Sequence, residues 1–223
     1  MKIFCDFDGT VAKNDVGSLL FKTFADNRCY EIVKQWKEGK ISARECLIAE
    51  CRITRVTKLE LEKFVDTQAL DTFFIDFYEY CKAQNMEIEI VSDGLDFYIN
   101  RMLTNHGLIS SVTIRSNRLV FLNQTQIRPE FPYFEKGCGR CGNCKGIHVR
   151  QARSFGHPVI YIGDGLSDRC GAKEADLVFA KRDRELLAYC RQKQIPHSEF
   201  YDFRDVLNGL KKMIASKSIQ RIT

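Results

Sequence analysis

The stretch Met1-Lys2-Ile3-Phe4-Cys5-Asp6-Phe7-Asp8-Gly9-Thr10-Val11 decides the fold, because it delivers two carboxylates to the end of a strand. Lys2 to Cys5 is a short, apolar, β-prone run bounded by a Gly turn, which predicts a strand with Asp6 and Asp8 at its carboxyl end. With one residue between them, extended backbone puts both side chains on one face, and Gly9 leaves room there for a ligand. Two close carboxylates need a counter-charge, and a hard divalent cation such as Mg2+ supplies one. One of the pair can then attack while the other moves protons. Read alone, the same residues make an Asp-Gly turn with two solvated acids, so the decision rests on the motifs further along the chain.

From Asn14 to about Leu70 the pattern is helical, with no strand signal. Two capping boxes, Ser42-Ala43-Arg44-Glu45 and Thr57-Lys58-Leu59-Glu60, each precede apolar residues at helical spacing such as Leu61, Phe64 and Val65. The reading is a bundle of about four short helices inserted after the first strand, a lid over Asp6. The expected division is a core of residues 1–13 and 71–223 and a helical cap of residues 14–70. Phe21, Phe24 and Trp36 read as bundle core. Asp15 has two readings, a helix N-cap and a group facing the substrate.

A helix over Asp71 to Gln84 leads to a strand, Met86 to Val91, that ends in Ser92-Asp93-Gly94. Such a turn offers a hydroxyl and backbone N–H groups to phosphate oxygens. A helix from Leu95 to Asn105, a strand near Val112 to Arg115 and a hairpin over Leu119 to Ile127 follow, with Pro129 and Pro132 marking loop. A third strand end with polar groups follows, where Pro158 to Ile162 runs into Gly163-Asp164-Gly165-Leu166-Ser167-Asp168. There Asp164 would complete the cation site begun by Asp6, while Asp168 can reach a metal through water, hold a lysine or cap the next helix. Leu177 to Ala180 is a further strand, Asp183 is expected to cap a helix through Tyr189, Asp202 to Ile214 is the last helix and Ser216 to Thr223 a frayed tail. Strands alternating with helices predict an α/β fold, a mostly parallel sheet flanked by helices. The four histidines, His106, His148, His157 and His197, have no ligand spacing.

Between these lies Cys138-Gly139-Arg140-Cys141-Gly142-Asn143-Cys144-Lys145. Structural zinc takes four protein ligands, and this run has three, with Cys170 the nearest later thiol. Cys138, Cys141 and Cys144 therefore read either as zinc ligands or as reduced thiols that shape a tight loop. Lys145 opens a helix over Gly146 to Phe155, where its charge adds to the attraction of a helix N-terminus for anions.

The chain has 223 residues, 44% hydrophobic and 28% charged, enough for one sizeable core plus an insert. The net charge of +5 is spread among 29 acids rather than gathered in a stripe, which argues against a nucleic-acid partner and for mild attraction of small anions. No apolar run approaches the length of a membrane span, so no membrane partner is expected. The amino terminus enters a strand without the basic and apolar segments of a signal peptide, and ten cysteines read as reduced thiols or metal ligands more than as disulfides, so the expected compartment is the cytoplasm.

Asp6-x-Asp8-Gly9-Thr10, Ser92, Lys145 and Gly163-Asp164-Gly165-x-x-Asp168, in that order, resemble the four motifs of the haloacid dehalogenase superfamily of phosphatases. The resemblance implies a Rossmann-like core, an Asp6 nucleophile that becomes an aspartyl phosphate and an Asp8 general acid and base. Ser92 and Lys145 would hold the phosphoryl group, while Asp6, Asp164 and the Asp8 backbone carbonyl would hold Mg2+. A helical insert straight after the first motif is similar to the subclass (IB) containing phosphoserine phosphatase. The Cys-rich approach to Lys145, the segment Ala180 to Cys190 and Tyr201-Asp202-Phe203 resemble the phosphatases of methionine salvage. Phosphoethanolamine/phosphocholine phosphatases share the Cys-rich approach. The expected substrate is thus a small phosphorylated metabolite, with a methionine-salvage sugar-like or enol phosphate first and phosphoserine, phosphoethanolamine or phosphocholine as alternatives. A reading of another class, a zinc-knuckle module for nucleic acid, rests on Cys138 to Lys145 alone.

Overall fold

A computed structural model describes residues 1–220. Its centre is β1 (Lys2–Cys5), which hydrogen-bonds in parallel on both sides, with Lys2 opposite Glu87 in one neighbour and Val159 in the other. Seven strands run in the order β4-β3-β2-β1-β5-β6-β7: β2 (Glu87–Leu95), β3 (Thr113–Phe121), β4 (Ile127–Glu130), β5 (Val159–Gly163), β6 (Leu177–Lys181) and β7 (His197–Phe200). Only β4 is antiparallel, paired with β3 through the turn expected around Asn123. β1 reads as a continuous apolar run because both faces are covered: Ile3 and Cys5 belong to one buried cluster, Phe4 to the other, with Tyr161 and Val178. From β1 the chain winds one way into β2 and β3, and from β5 the other way into β6 and β7. This reversal opens a crevice at the carboxyl ends of the strands, where open α/β sheets bind ligands, and Asp6 stands in it.

Between β1 and β2 come α1 (Val16–Phe24), α2 (Arg28–Lys37), α3 (Ala43–Ile53) and α4 (Lys58–Asp66), the four helices expected, and then α5 (Phe74–Ala83). Both capping boxes form: the Ser42 and Thr57 N–H groups donate to Glu45 and Glu60, whose own N–H groups donate back to the two hydroxyls. The remaining helices are α6 (Asp96–Asn105), α7 (Lys145–Ser154), α8 (Arg169–Glu174), α9 (Glu185–Lys193) and α10 (Phe203–Gln220). No helix among the described residues is long and apolar enough to cross a membrane.

Five boundaries differ from the sequence reading. The helix expected from Asp71 begins at Phe74, because the Asp71 carboxylate accepts from the N–H groups of Phe73 and Phe203 and holds a turn instead. Pro129 sits inside β4 rather than in a loop; β4 is an edge strand, where a missing N–H costs no ladder bond. Asp183 does not cap α9: it takes φ +58°, and Arg184 occupies the cap position with no side-chain bond. β7 is invisible in the sequence because His-Ser-Glu-Phe carries a single apolar residue, which an edge position tolerates. The tail expected from Ser216 continues as helix to Gln220, and its last residues, 221–223, lie outside the described residues.

Candidate active site

Beyond β1 the chain makes a tight turn over Phe7–Val11, in which Gly9 takes φ +73°. A Cβ at Gly9 would lie 2.5 Å from Asp164 Oδ2, so the turn requires glycine to let the β1 and β5 loops meet. Lys181 Nζ, at the end of β6, donates to the Gly9 carbonyl at 2.6 Å and pins the turn from below.

Asp6 is buried, and its Oδ1 lies 2.5 Å from Lys145 Nζ. The same ammonium is 2.5 Å from Asp168 Oδ1 and 3.1 Å from Ser167 Oγ. Lys145 is only 1% exposed, and these two carboxylates hold its proton firmly against the cost of burial. Asp168 has no capacity left over: Oδ1 also accepts from Tyr161 Oη at 2.6 Å, and Oδ2 accepts the N–H groups of Asp164 and Gly165 at 2.9 and 2.8 Å. Of its three sequence readings the structure shows it holding the lysine; its side chain does not cap α8, because Oδ2 is taken by the Asp164 and Gly165 N–H groups of the loop before that helix.

Asp8 is fixed at both oxygens, by Tyr98 Oη at 2.6 Å and the Gly17 N–H at 3.1 Å. Burial, then the Asp15 charge, pushes its carboxyl up to about 7. Gly94 makes the Tyr98 contact possible, since a Cβ there would fall 1.8 Å from the Tyr98 hydroxyl and 2.7 Å from Asp8 Oδ2. Ser92 is buried at the end of the straight part of β2 and lines the cavity, its hydroxyl accepting from the Gly94 N–H at 3.0 Å.

Asp93 lines the cavity too, and its Oδ1 accepts from the Asn143 N–H at 2.7 Å and Asn117 Nδ2 at 3.1 Å, so the carboxylate also ties the Ser92 turn to the Cys loop. Asn143 completes that tie, donating to the carbonyls of Ser92 and Arg115 at 2.9 and 2.8 Å, while its Oδ1 meets His148 Nε2 at 2.7 Å. Burial holds His148 down to about 4, so this ring is neutral and structural. Asp15 caps α1, accepting the Ser18 N–H at 2.7 Å, and also lines the cavity.

Carboxylate oxygens of Asp6, Asp164 and Asp168 lie within 4.8 Å of one another. Burial first, then Asp168, pushes Asp6 upward and Asp164 to about 7, the mark of acids crowded without enough positive charge. Lys145 is the buried cation among them, and Arg184 approaches Asp164 only to 4.0 Å. With the Asp168 oxygens committed to Lys145, Tyr161 and two backbone N–H groups, Asp6 and Asp164 remain as the oxygen donors of this over-acidic cluster, and such donors fit a hard divalent cation such as Mg2+.

Facing these acids is a cavity of about 490 Å³ whose far wall is the helical insert, including Phe21, Trp36, Cys46, Leu47 and Glu50. Phe24 packs edge-on against Phe64 as bundle core, but Phe21 and Trp36 are also cavity wall, because the insert's inner helices face the sheet end across the cavity. Glu50 is buried there with Cys46 Sγ, at 3.6 Å, as its side-chain contact, and burial pushes it up to about 7. Sequence reasoning missed Tyr98, Asn143 and Glu50; Tyr98 and Asn143 each stand within a few residues of a motif, whereas Glu50, on α3, has no such neighbour. It also missed that α8 carries Cys170 to the other three thiols, so that all four Sγ atoms lie within 4.8 Å of one another.

A sequence model of the family described as Putative Phosphatase matches residues 1–201. The 2-hydroxy-3-keto-5-methylthiopentenyl-1-phosphate phosphatase of Bacillus cereus is 30% identical over 222 residues, 98% of this chain and 99% of the relative. Pdp3-interacting factor 1 of Schizosaccharomyces pombe is 29% identical over 228 residues, 96% of each. The solved phospho-aspartyl intermediate analogue of phosphoserine phosphatase shares the fold, with TM-score 0.71 and 21% identity over 93% of this chain and 97% of that one.

Proposed function

The chain belongs to that phosphatase family, and on this premise we propose that it is a phosphatase of the haloacid dehalogenase type that hydrolyses a small phosphorylated metabolite, with Mg2+, through an aspartyl phosphate on Asp6. The observation that carries the reading is the pairing of two unlike acids: Asp6, gripped by Lys145, and Asp8, held near neutrality by burial and oriented by Tyr98. Asp6 attacks phosphorus. The Lys145 ammonium and the Ser92 hydroxyl hold the phosphoryl oxygens, with backbone N–H groups of the Ser92-Asp93-Gly94 turn beside them. Asp8 enters protonated, gives its proton to the departing alkoxide, and as a carboxylate takes a proton from the water that opens the acyl phosphate. Asp6, Asp164 and the Asp8 carbonyl are the groups that would hold Mg2+, which when bound neutralises charge on the phosphoryl group. Residues 14–70 act as a cap on a core formed by 1–13 and 71–223, and the cavity between them suits a small metabolite rather than a folded phosphoprotein. All ten cysteines are unpaired, the state that the reducing cytoplasm maintains.

The cavity wall supports a choice of leaving group. Phe21, Trp36 and Leu47 offer apolar surface, and Glu50, raised by burial to about 7, becomes anionic above that pH, where a carboxylate-bearing substrate such as phosphoserine would meet repulsion. An enol or ketose phosphate with an apolar tail, the substrate class named for the Bacillus relative, fits this wall. The buried acid also favours a second reading, a cationic leaving group as in phosphoethanolamine or phosphocholine. Steady-state kinetics over these phosphates, with and without Mg2+, tests both. The expected order puts the methylthio enol phosphate first, phosphoserine last and all turnover under Mg2+ control; a preference for phosphoserine contradicts the cavity argument.

A further inference from the structure

We propose that Cys138, Cys141, Cys144 and Cys170 bind one structural zinc ion that clamps Lys145 against Asp6. The four sulfurs come from two elements far apart in the chain, three from the loop before α7 and one from α8, yet they lie within 4.8 Å of one another. A tetrahedral zinc with four thiolates needs sulfurs about 3.8 Å apart, given Zn–S bonds of about 2.3 Å, so the cluster closes on an ion with small side-chain adjustments. The loop already has the form of a metal knuckle: Gly139 turns it with φ +77°, and the Cys141 N–H points at Cys138 Sγ, 3.5 Å away. Cys144 is buried, Cys141 and Cys170 are partly buried and Cys138 is exposed, which shields the site while leaving it a path for loading. Soft thiolates select zinc over the Mg2+ suited to the carboxylates, and zinc binds such a site more tightly than Fe2+. Metal entry displaces thiol protons to solvent and leaves no open coordination position for chemistry.

The location gives the ion its task. Cys144 is the residue before Lys145, and Cys170 is the second residue after Asp168. One ion would therefore join the two backbone segments that carry the halves of the Lys145–Asp168 pair, 2.5 Å apart at Nζ and Oδ1, and so fix where the lysine meets Asp6. The helices are already in close contact there, since a Cβ at Gly146 would lie 2.8 Å from the Cys170 carbonyl. The clamp's effect on phosphate rests on the phosphate-holding role proposed for Lys145; the metal site itself does not.

Elemental analysis of protein purified without chelators is expected to give one zinc per chain. Cobalt exchanged into it should show thiolate-to-cobalt charge transfer and the visible bands of a tetrahedral ion. Cys170→Ser should lose the metal and weaken inorganic phosphate, measured by calorimetry with Mg2+ present, by ~10-fold or more. Cys170→His, which can still ligate, should keep both, a rescue that a packing role for the sulfur would not give. Protein free of zinc, iron in its place, a disulfide among the four thiols, or a zinc-free Cys170→Ser protein with unchanged phosphate affinity each overturn the proposal. If zinc is bound and no phosphomonoester is turned over, the phosphatase reading fails instead.

Discussion

Tyr98 holds Asp8 in one orientation, and this makes it the cheapest place to disturb proton transfer without touching the nucleophile. Tyr98→Phe keeps the ring packed on Phe7 but removes the bond to Asp8 Oδ2, so kcat for an alkyl phosphate should fall roughly 10- to 100-fold. An activated aryl phosphate, whose leaving group needs little protonation, should lose less in forming the phosphoenzyme; equal losses in that step would contradict the role given to Asp8. Glu50 supplies a test in pH. Burial raises it from 4.5 to about 7, so the native state favours the neutral acid: that stability is complete below about 4.5 and is lost as pH rises through 7. Glu50→Gln should thus stabilise the protein at pH 8, by up to about 3 kcal/mol, and leave it nearly unchanged at pH 4. Thermal melts at the two pH values check this, and an equal shift at both would refute it. Asp6, Asp8, Ser92, Lys145 and Asp164 were legible in the sequence because each stands at the end of a strand or the start of a helix. Tyr98 and Glu50 were not, since on a helix either pattern is also that of ordinary packing.

The loop between β4 and α7 is the element whose sequence says least about its structure. Its glycines and thiols announce a turn, but what binds it to the core is Asn143, through Ser92, Arg115 and Asp93, residues 51, 28 and 50 positions away in the chain. Long-range bonds of this kind leave no local pattern, which is why the tie that Asp93 makes to Asn143 is not visible in the sequence. Asn143→Ala strands two buried carbonyls and the His148 ring, and should cost about 2–4 kcal/mol by urea unfolding while raising KM more than it lowers kcat. Loss of less than about 0.5 kcal/mol with unchanged KM would show that the tie is incidental. The insert's helices were legible for the opposite reason: Ser42 and Thr57 are capped by residues three positions on, and local bonds are written locally.

At the scale of the whole molecule, the parallel sheet followed from strands alternating with helices, and the site from three turns that each put polar groups at a strand's carboxyl end. The strand order did not follow, because pairing β1 with both β2 and β5 closes contacts more than 80 residues apart, as Lys2 opposite Glu87 and Val159 illustrates. That order is what gathers Asp6, Ser92, Asp164 and, through α7, Lys145 around one crevice under the helical insert. The claim on which the functional account turns is that Asp6 becomes phosphorylated. Protein quenched in acid during turnover, then digested and read by mass spectrometry, tests it directly. The expected result is a phosphate on Asp6 in the peptide that begins the chain, absent when Asp6 is replaced by Asn; phosphate on another residue, or an Asp6→Asn protein that still turns over at a near-normal rate, would contradict the account.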